Sequence, residues 1–406
     1  TGKSEETTKA ADGLGPGGSN SARGGGNIDF SLDGATISNG RISFLDHGTG
    51  AAHIITGLNA ALSASSLNGP FKLTGDFAYK DIPLTLSAAT GTLDAGRAMP
   101  LEAIISLGER TAELSYSGTL VLGDMPRLIG TIGATAEDLG AAGAVMAPLG
   151  TGTDALPAAL NGPFKLSAKL KASAREAGLS ELALTAGGIS AKGAVTAFLT
   201  DGIAINAELA LDRFVLDDIL AALADSPKTK ENTPPAMPVP VNTALAGFTL
   251  PTGIAADLTL TADAVDYRGG VIRQSRLEAS LANGAALLKV FSAQMPGGSD
   301  LSLSGTVTSA KGSPQFSGRA DFVSDNLRGT LGWLGADLNS IAADRLRKGS
   351  IGADITASPA QVQLTNWTMG LDTTRMRGGL TLLLRERPAF GLALDLGKIN
   401  LDAYLP

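Results

Sequence analysis

Apolar and polar residues alternate along most of this chain. In FKLTGDFAY, Phe71, Leu73, Phe77 and Tyr79 share one phase with Gly75 between them, and Lys72, Thr74, Asp76 and Lys80 take the other. FKLSAKLKAS sets Phe164, Leu166 and Leu170 against Lys165, Ser167, Lys169 and Lys171. ADLTLTADAV sets Leu258, Leu260, Ala262 and Ala264 against Asp257, Thr259, Thr261 and Asp263, and LSLSGTV carries Leu301, Leu303 and Val307 on one phase. Successive side chains of a strand point to opposite faces, so these segments read as half-buried antiparallel strands with one wet face. At this spacing the chain accommodates roughly twenty strands. Asn39-Gly40, Gly269-Gly270 and Asn283-Gly284 tolerate positive φ and are expected to turn two-residue hairpins. Helical spacing is confined to 136–149, 215–223 and 325–347. The last carries a stripe of Leu327, Leu331, Leu334, Leu338, Ile341 and Leu346, with Ser324 or Asp325 as its expected cap. The expected fold class is mainly β: a long antiparallel curled sheet, repeat-built, with a few short α-helices.

Composition sharpens that picture. Glycine supplies 52 of 406 residues, well above the average of about 7%. The aromatics are 12 Phe, 4 Tyr and 2 Trp, so a core must be built from small aliphatic side chains. With 32 Lys+Arg against 39 Asp+Glu the net charge is −7, which argues against a nucleic-acid surface. Cysteine is absent, which removes disulfides, thiolate zinc sites and thiol nucleophiles. No apolar run reaches the roughly 18 residues a bilayer-spanning helix needs, and no signal peptide is evident. Because the numbering opens at Thr1 without Met, an upstream segment is expected to be missing.

Two stretches contain too little apolar surface to offset the entropy of ordering them. One is the Gly/Ser-rich segment 1–27; the other is the Pro-rich linker 225–247, whose first sixteen residues hold five prolines. They bracket a first β module at 28–224 and a second at 248–406. Repetition supports this division. LNGPFKL occurs at 67–73 and again at 160–166, and Gly118 of LSYSGTL answers Gly305 of LSLSGTV. Gly130 answers Gly318, Gly193 answers Gly378, and LALDRFVLDDIL at 209–220 answers LALDLGKINLDAYL at 392–405.

Candidate chemistry is sparse. GLGPGG places Gly13, Gly15 and Gly18 in a nucleotide-loop spacing, but Pro16 interrupts it and no strand precedes it, so it reads as linker. Asp46-His47, with His53 nearby, offers an acid–base dyad or half a metal site, and reads better as a turn. Asp217-Asp218 complements the dipole of a helix start. Asn366-Trp367-Thr368 matches a glycosylation sequon by coincidence. No catalytic constellation, metal site or cofactor motif emerges, and the chain is expected not to be an enzyme.

The opening block IDFSLDGATISNGRISFLDHGTG, with Asp33-Gly34, Ile37, Asn39-Gly40, Ile42, Phe44, Asp46 and Gly50, resembles the signature of AsmA-family proteins. VDYRGGVIRQSRLEASL, FSAQMPGGSDLSLSG, SDNLRGTLGWLG and INLDAYLP resemble the carboxyl-terminal region of that family, and the likeness covers about 28–406 without the linker. The resemblance implies a Gram-negative inner-membrane protein, anchored by an N-terminal helix upstream of Thr1. Its periplasmic body would act in outer-membrane biogenesis, with phospholipids as ligands, inner- and outer-membrane envelope proteins as further partners, and no nucleic acid. It also implies a β-trough that binds or conducts phospholipids. A non-enzymatic scaffold for outer-membrane proteins is the alternative. If there is a trough, Phe71, Leu73, Phe77, Phe164, Leu166, Leu170, Leu258, Leu260, Leu301 and Leu303 should line it, with Lys72, Lys165, Lys169, Asp257 and Thr259 facing water. Arg345, Arg347 and Lys348 are candidates for headgroup contact at a helix end. A dry core between two sheets satisfies the same alternation.

Overall fold

The computed structural model describes residues 31–45, 52–94, 97–108, 110–147, 160–200, 202–224, 250–310, 313–385 and 387–397. The segment 1–27, the linker 225–247, Asp46, His47 and Gly50 lie outside the described residues. Twenty strands form one sheet that does not close. The first eleven are β1 (Leu32–Leu45), β2 (Ala52–Ala64), β3 (Phe71–Tyr79), β4 (Ile82–Thr90), β5 (Ala98–Leu107), β6 (Ala112–Val121), β7 (Arg127–Ala136), β8 (Phe164–Ser173), β9 (Glu176–Ala186), β10 (Ile189–Leu199) and β11 (Ile203–Val215). The remainder are β12 (Ile254–Tyr267), β13 (Gly270–Ala282), β14 (Ala285–Met295), β15 (Ser299–Ala310), β16 (Ser313–Ser324), β17 (Gly349–Ala357), β18 (Gln361–Leu371), β19 (Thr374–Leu383) and β20 (Ala389–Leu396). Among the described residues three helices interrupt them: α1 (Leu139–Met146), α2 (Leu216–Ala224) and α3 (Leu327–Trp333).

Each strand pairs antiparallel with the next in sequence, with one exception: β11 and β12 run parallel, from Ile203 beside Ile254 to Val215 beside Asp266. The element order therefore repeats. β3–β11 and β12–β20 are each nine strands with a helix after the fifth. The parallel junction makes both sets run the same way, so α1, α2 and α3 all follow strands that end on one rim of the sheet. Among the described residues the other rim carries hairpin turns and short loops. LNGPFKL behaves differently. Its two copies lead into β3 and β8, which start on opposite rims, so the heptapeptide marks a shared way of entering a strand and not equivalent module positions.

Turn chemistry explains many of the reversals. Asn283-Gly284 turns β13 into β14 with φ of 50° and 72°, the positive values a type I′ turn demands. At the preceding hairpin the turn pair is Arg268-Gly269, not Gly269-Gly270, with φ of 48° and 70°. Asn39-Gly40 is no hairpin: it lies inside β1, where Asn39 has φ 48° and the register against β2 shifts on both sides of Gly40. A residue that tolerates positive φ serves a bulge as well as a turn.

Bulges recur at equivalent places in the two modules. Glu181 of β9 and Asn366 of β18 both have φ 50°, and each is followed by the residue that covers a glycine on the next strand. Leu182 pairs with Gly193, and Trp367 pairs with Gly378. Cross-strand glycine pairs also recur, Gly118 opposite Gly130 and Gly305 opposite Gly318. A Cβ on Gly118 would sit 2.5 Å from the Gly130 Cα and 2.6 Å from the Tyr116 hydroxyl, and one on Gly305 would sit 2.7 Å from Gly318 Cα and from the Phe316 ring. The strands approach there without side chains between them while an aromatic ring covers the gap, which allows the sheet to curl.

The long helix expected over 325–347 stops at Trp333, and its cap is Asn326, whose side chain accepts from Gly329 N–H. Ser324 serves elsewhere. Its hydroxyl accepts from Ser299, which in turn meets Thr330 at 2.6 Å, in a buried hydroxyl cluster that fastens α3 to the strand ends. Gly335, at φ 90°, leaves the helical region just past the helix. Beyond it the Arg328 guanidinium donates to the carbonyls of Leu338, Ile341, Ala342 and Arg345, replacing the helical ladder the leucine stripe suggested. Pairing also corrects the alignment of the module ends. Gly193 faces Leu209 and Gly378 faces Leu394, so the two LALD stretches are offset by two residues and only their alternation is equivalent.

Candidate functional site

The sheet has one apolar face, and the strand register makes it continuous. Residues directly opposite one another in a ladder share a face. From Leu170 the ladder passes to Leu179, Val195, Ala207, Leu258, Ala279 and Leu288. It continues through Gly305, Gly318, Ile355, Leu364, Leu380 and Leu392. In the other direction it runs from Leu170 to Gly130, Gly118 and Leu101. This row crosses sixteen strands without a charged residue.

All ten sequence-selected lining residues sit on this face. Phe77 connects through Leu84, Leu107, Ala112 and Ala136 to Phe164, and Leu73 connects through Ala88, Ala103, Tyr116 and Ile132 to Ala168. Phe71, Leu166 and Leu170 lie two residues along from members of these rows. Leu260 connects through Leu277 and Phe291 to Leu303, with Leu301 two residues away. The opposite face is mainly polar, with Ile104, Ile129, Leu287 and Val323 exposed on it. Lys72, Lys165, Lys169 and Asp257 are exposed, and Thr259 is partly covered. Lys169 and Glu181 form an ion pair there, as do Lys289 and Asp257.

What distinguishes the apolar face is how little covers it. Fifteen apolar residues are buried among the described residues, nine of them alanine, and none of the ten lining residues is among them. Ile105 and Leu114, in the row through Leu166, remain 38% and 43% exposed. Among the described residues the closest backbone approaches of each strand are to its ladder neighbours, with α2 beside β12 and α3 fastened to β12 and β15 through Trp333 and Thr330. A sandwich core would bury these side chains against a second sheet. Here the described strands form a single curled sheet that does not close, and its apolar face stays partly exposed. Nineteen interstrand steps at ~4.8 Å give a strip of ~90 Å along the curved sheet.

Several polar groups bear on this surface. Trp367, 7% exposed, has an indole N–H without a hydrogen-bond partner. Sequence reasoning passed over this residue, although one of only two tryptophans amid small aliphatics was a usable signal. His53 stacks between Phe44 and Tyr79, and its Nδ1 shares a 2.5 Å hydrogen bond with the Tyr79 hydroxyl. Among the described residues no group of three or more His, Cys, Asp or Glu could hold a metal ion. Asp217, in the first turn of α2, accepts from the Arg268 N–H at the module junction. Beside it the Arg213 guanidinium makes two hydrogen bonds to Asp266 and holds that carboxyl below its ordinary pKa, while Asp266 raises the guanidinium. Asn366 donates to Asp354 on the polar face.

Arg345, Arg347 and Lys348 do not stand at a helix end. They occupy the chain that returns to β17, where the Asp372 carboxylate accepts from the backbone N–H groups of Leu346, Arg347 and Lys348. Arg347 and Lys348 are exposed, with Lys348 Nζ 3.6 Å from Asp325, and Arg345 is half-buried. Among the described residues no helix is long and apolar enough to cross a membrane. Compared with protein-family models, curated proteins and solved structures, the chain matches none.

Proposed function

We propose that the chain is a non-enzymatic, AsmA-like trough protein that binds or conducts phospholipids along its apolar face, in the periplasm of a Gram-negative envelope, for outer-membrane biogenesis. One observation carries the reading: an apolar row that runs from Leu101 to Leu392 across sixteen strands, ~70 Å along the curved sheet, and stays partly exposed. Leaving so much contiguous apolar surface in water is unfavourable, and surfaces of this kind in soluble proteins mark interaction sites. Acyl chains suit it because its side chains are mostly small and aliphatic, its row from Leu101 to Leu392 lacks charge, and its width comes from strands of 8 to 14 residues. The strip exceeds the length of a single lipid several-fold, so several acyl chains would occupy it in series. The exposed Arg347 and Lys348 offer charge to anionic headgroups at the helix-bearing rim.

The test is purification without detergent, followed by lipid extraction and mass spectrometry. Phospholipid in stoichiometric excess over protein is expected. A monodisperse, folded and lipid-free protein that also fails to take up fluorescent phospholipid from vesicles would overturn the reading and leave a scaffold for outer-membrane proteins as the function.

A further inference from the structure

We propose that the free edge of β20 is an acceptor for a parallel β-strand donated by a separate polypeptide. The argument is the internal repeat and stands apart from the lipid reading. β20 occupies in the second module the place β11 occupies in the first, since Val195 faces Ala207 as Leu380 faces Leu392, and Gly193 faces Leu209 as Gly378 faces Leu394. The outer edge of β11 is filled by β12 in a parallel ladder of twelve matched positions. Among the described residues no strand pairs with the corresponding edge of β20.

The side chains show the consequence. Ile205, Ala207, Leu209 and Leu211 are partly covered by their β12 neighbours. Their counterparts Phe390, Leu392, Leu394 and Leu396 are 77%, 55%, 43% and 45% exposed. A strand edge that is both apolar and unpaired is a template for another strand, and proteins that do not use such an edge blunt it with charges, proline or bulges. β20 has none of these devices on that phase. β1, at the opposite edge, is broken by the Asn39-Gly40 bulge and lies outside the nine-strand repeat, so it has no counterpart with a partner. The donated strand would present apolar residues at alternate positions, as β12 does, giving main-chain hydrogen bonds and extending the apolar face by one strand.

The chain itself supplies the probe: a fluorescein-labelled peptide of residues 254–267, the sequence of β12. Saturable binding to the whole protein is expected by anisotropy, at least tenfold weaker for a scrambled peptide and for the double variant Leu392→Lys/Leu394→Lys. Hydrogen exchange should show new protection confined to 389–396, a readout that holds even if the variant folds poorly. Equal binding of the scrambled peptide, or protection on β1 in place of β20, overturns the proposal. A concentration-dependent dimer abolished by the same substitutions would seat a second copy on this edge and also overturn it.

Discussion

Replacing Leu258 with glutamate separates an open trough from a dry core. Leu258 lies at the module junction, between Ala207 of β11 and Ala279 of β13, and is half-buried. Full burial of a leucine side chain is worth ~1.5–3 kcal/mol, and Leu258 keeps most of its side chain covered, so losing that burial costs ~1–2 kcal/mol. A carboxylate there reaches water over the open side and adds little further cost. Leu182 provides the internal control. It lies on the same face, over Gly193, but is only 8% exposed. A carboxylate at that position gives up its hydration without a partner, and Leu182→Glu is expected to cost at least ~3 kcal/mol or to raise the pKa of the new acid. Urea denaturation of delipidated protein, followed by circular dichroism, measures both. The expected gap between the variants is roughly 2 kcal/mol, with phospholipid uptake reduced in Leu258→Glu although it folds. If Leu258→Glu destabilises as much as Leu182→Glu, the face is dry in solution and the trough reading fails. Leu166→Glu, half-buried in the row with Ile105 and Leu114, should behave like Leu258→Glu.

Two further outcomes follow from the geometry. Gly130→Ala would place a Cβ 2.6 Å from the Gly118 Cα on the neighbouring strand, so backbone must move. A loss of ~1–3 kcal/mol is expected by urea denaturation, and an unchanged midpoint would show that the glycine pair does not set the strand approach. Asp266 titrates below its ordinary value of 3.8 because of its hydrogen bonds to Arg213. Its stabilising effect is present above that value and lost as the pH falls through the lowered one. Asp266→Asn should therefore flatten the acid limb of the stability–pH curve below about pH 4, while parallel acid limbs would sink the assignment.

Lateral alternation was legible at the outset. Phe71–Tyr79 and Phe164–Ser173 are strands whose limits follow from local pattern alone, because a strand's two faces are written directly into its odd and even positions. The polar and apolar sides of β12 and β15 were equally readable. Other features needed the partner strand. Asn39-Gly40 satisfies a hairpin and a bulge equally well, and only the ladder with β2 selects the bulge. The stripe from Leu327 to Leu346 satisfies helical spacing throughout, yet Arg328 captures four carbonyls of its second half and holds them in a loop. Guanidinium donors reaching ten or more residues along the chain leave no periodic trace.

The largest decision belongs to tertiary structure. Alternation specifies that a face is apolar but not what lies over it, since a second sheet, a helix layer and open solvent all demand the same residues. Three features resolve it here: a parallel β11–β12 junction that fuses two modules into one sheet, glycine pairs that let it curl, and helices gathered on one rim. Each arises from pairing between segments distant in sequence. Local pattern determined that this chain would make a one-sided sheet of about twenty strands. Long-range pairing decided that these strands would join as one sheet that does not close, because alternation within a strand marks its apolar side but not which distant segment lies beside it.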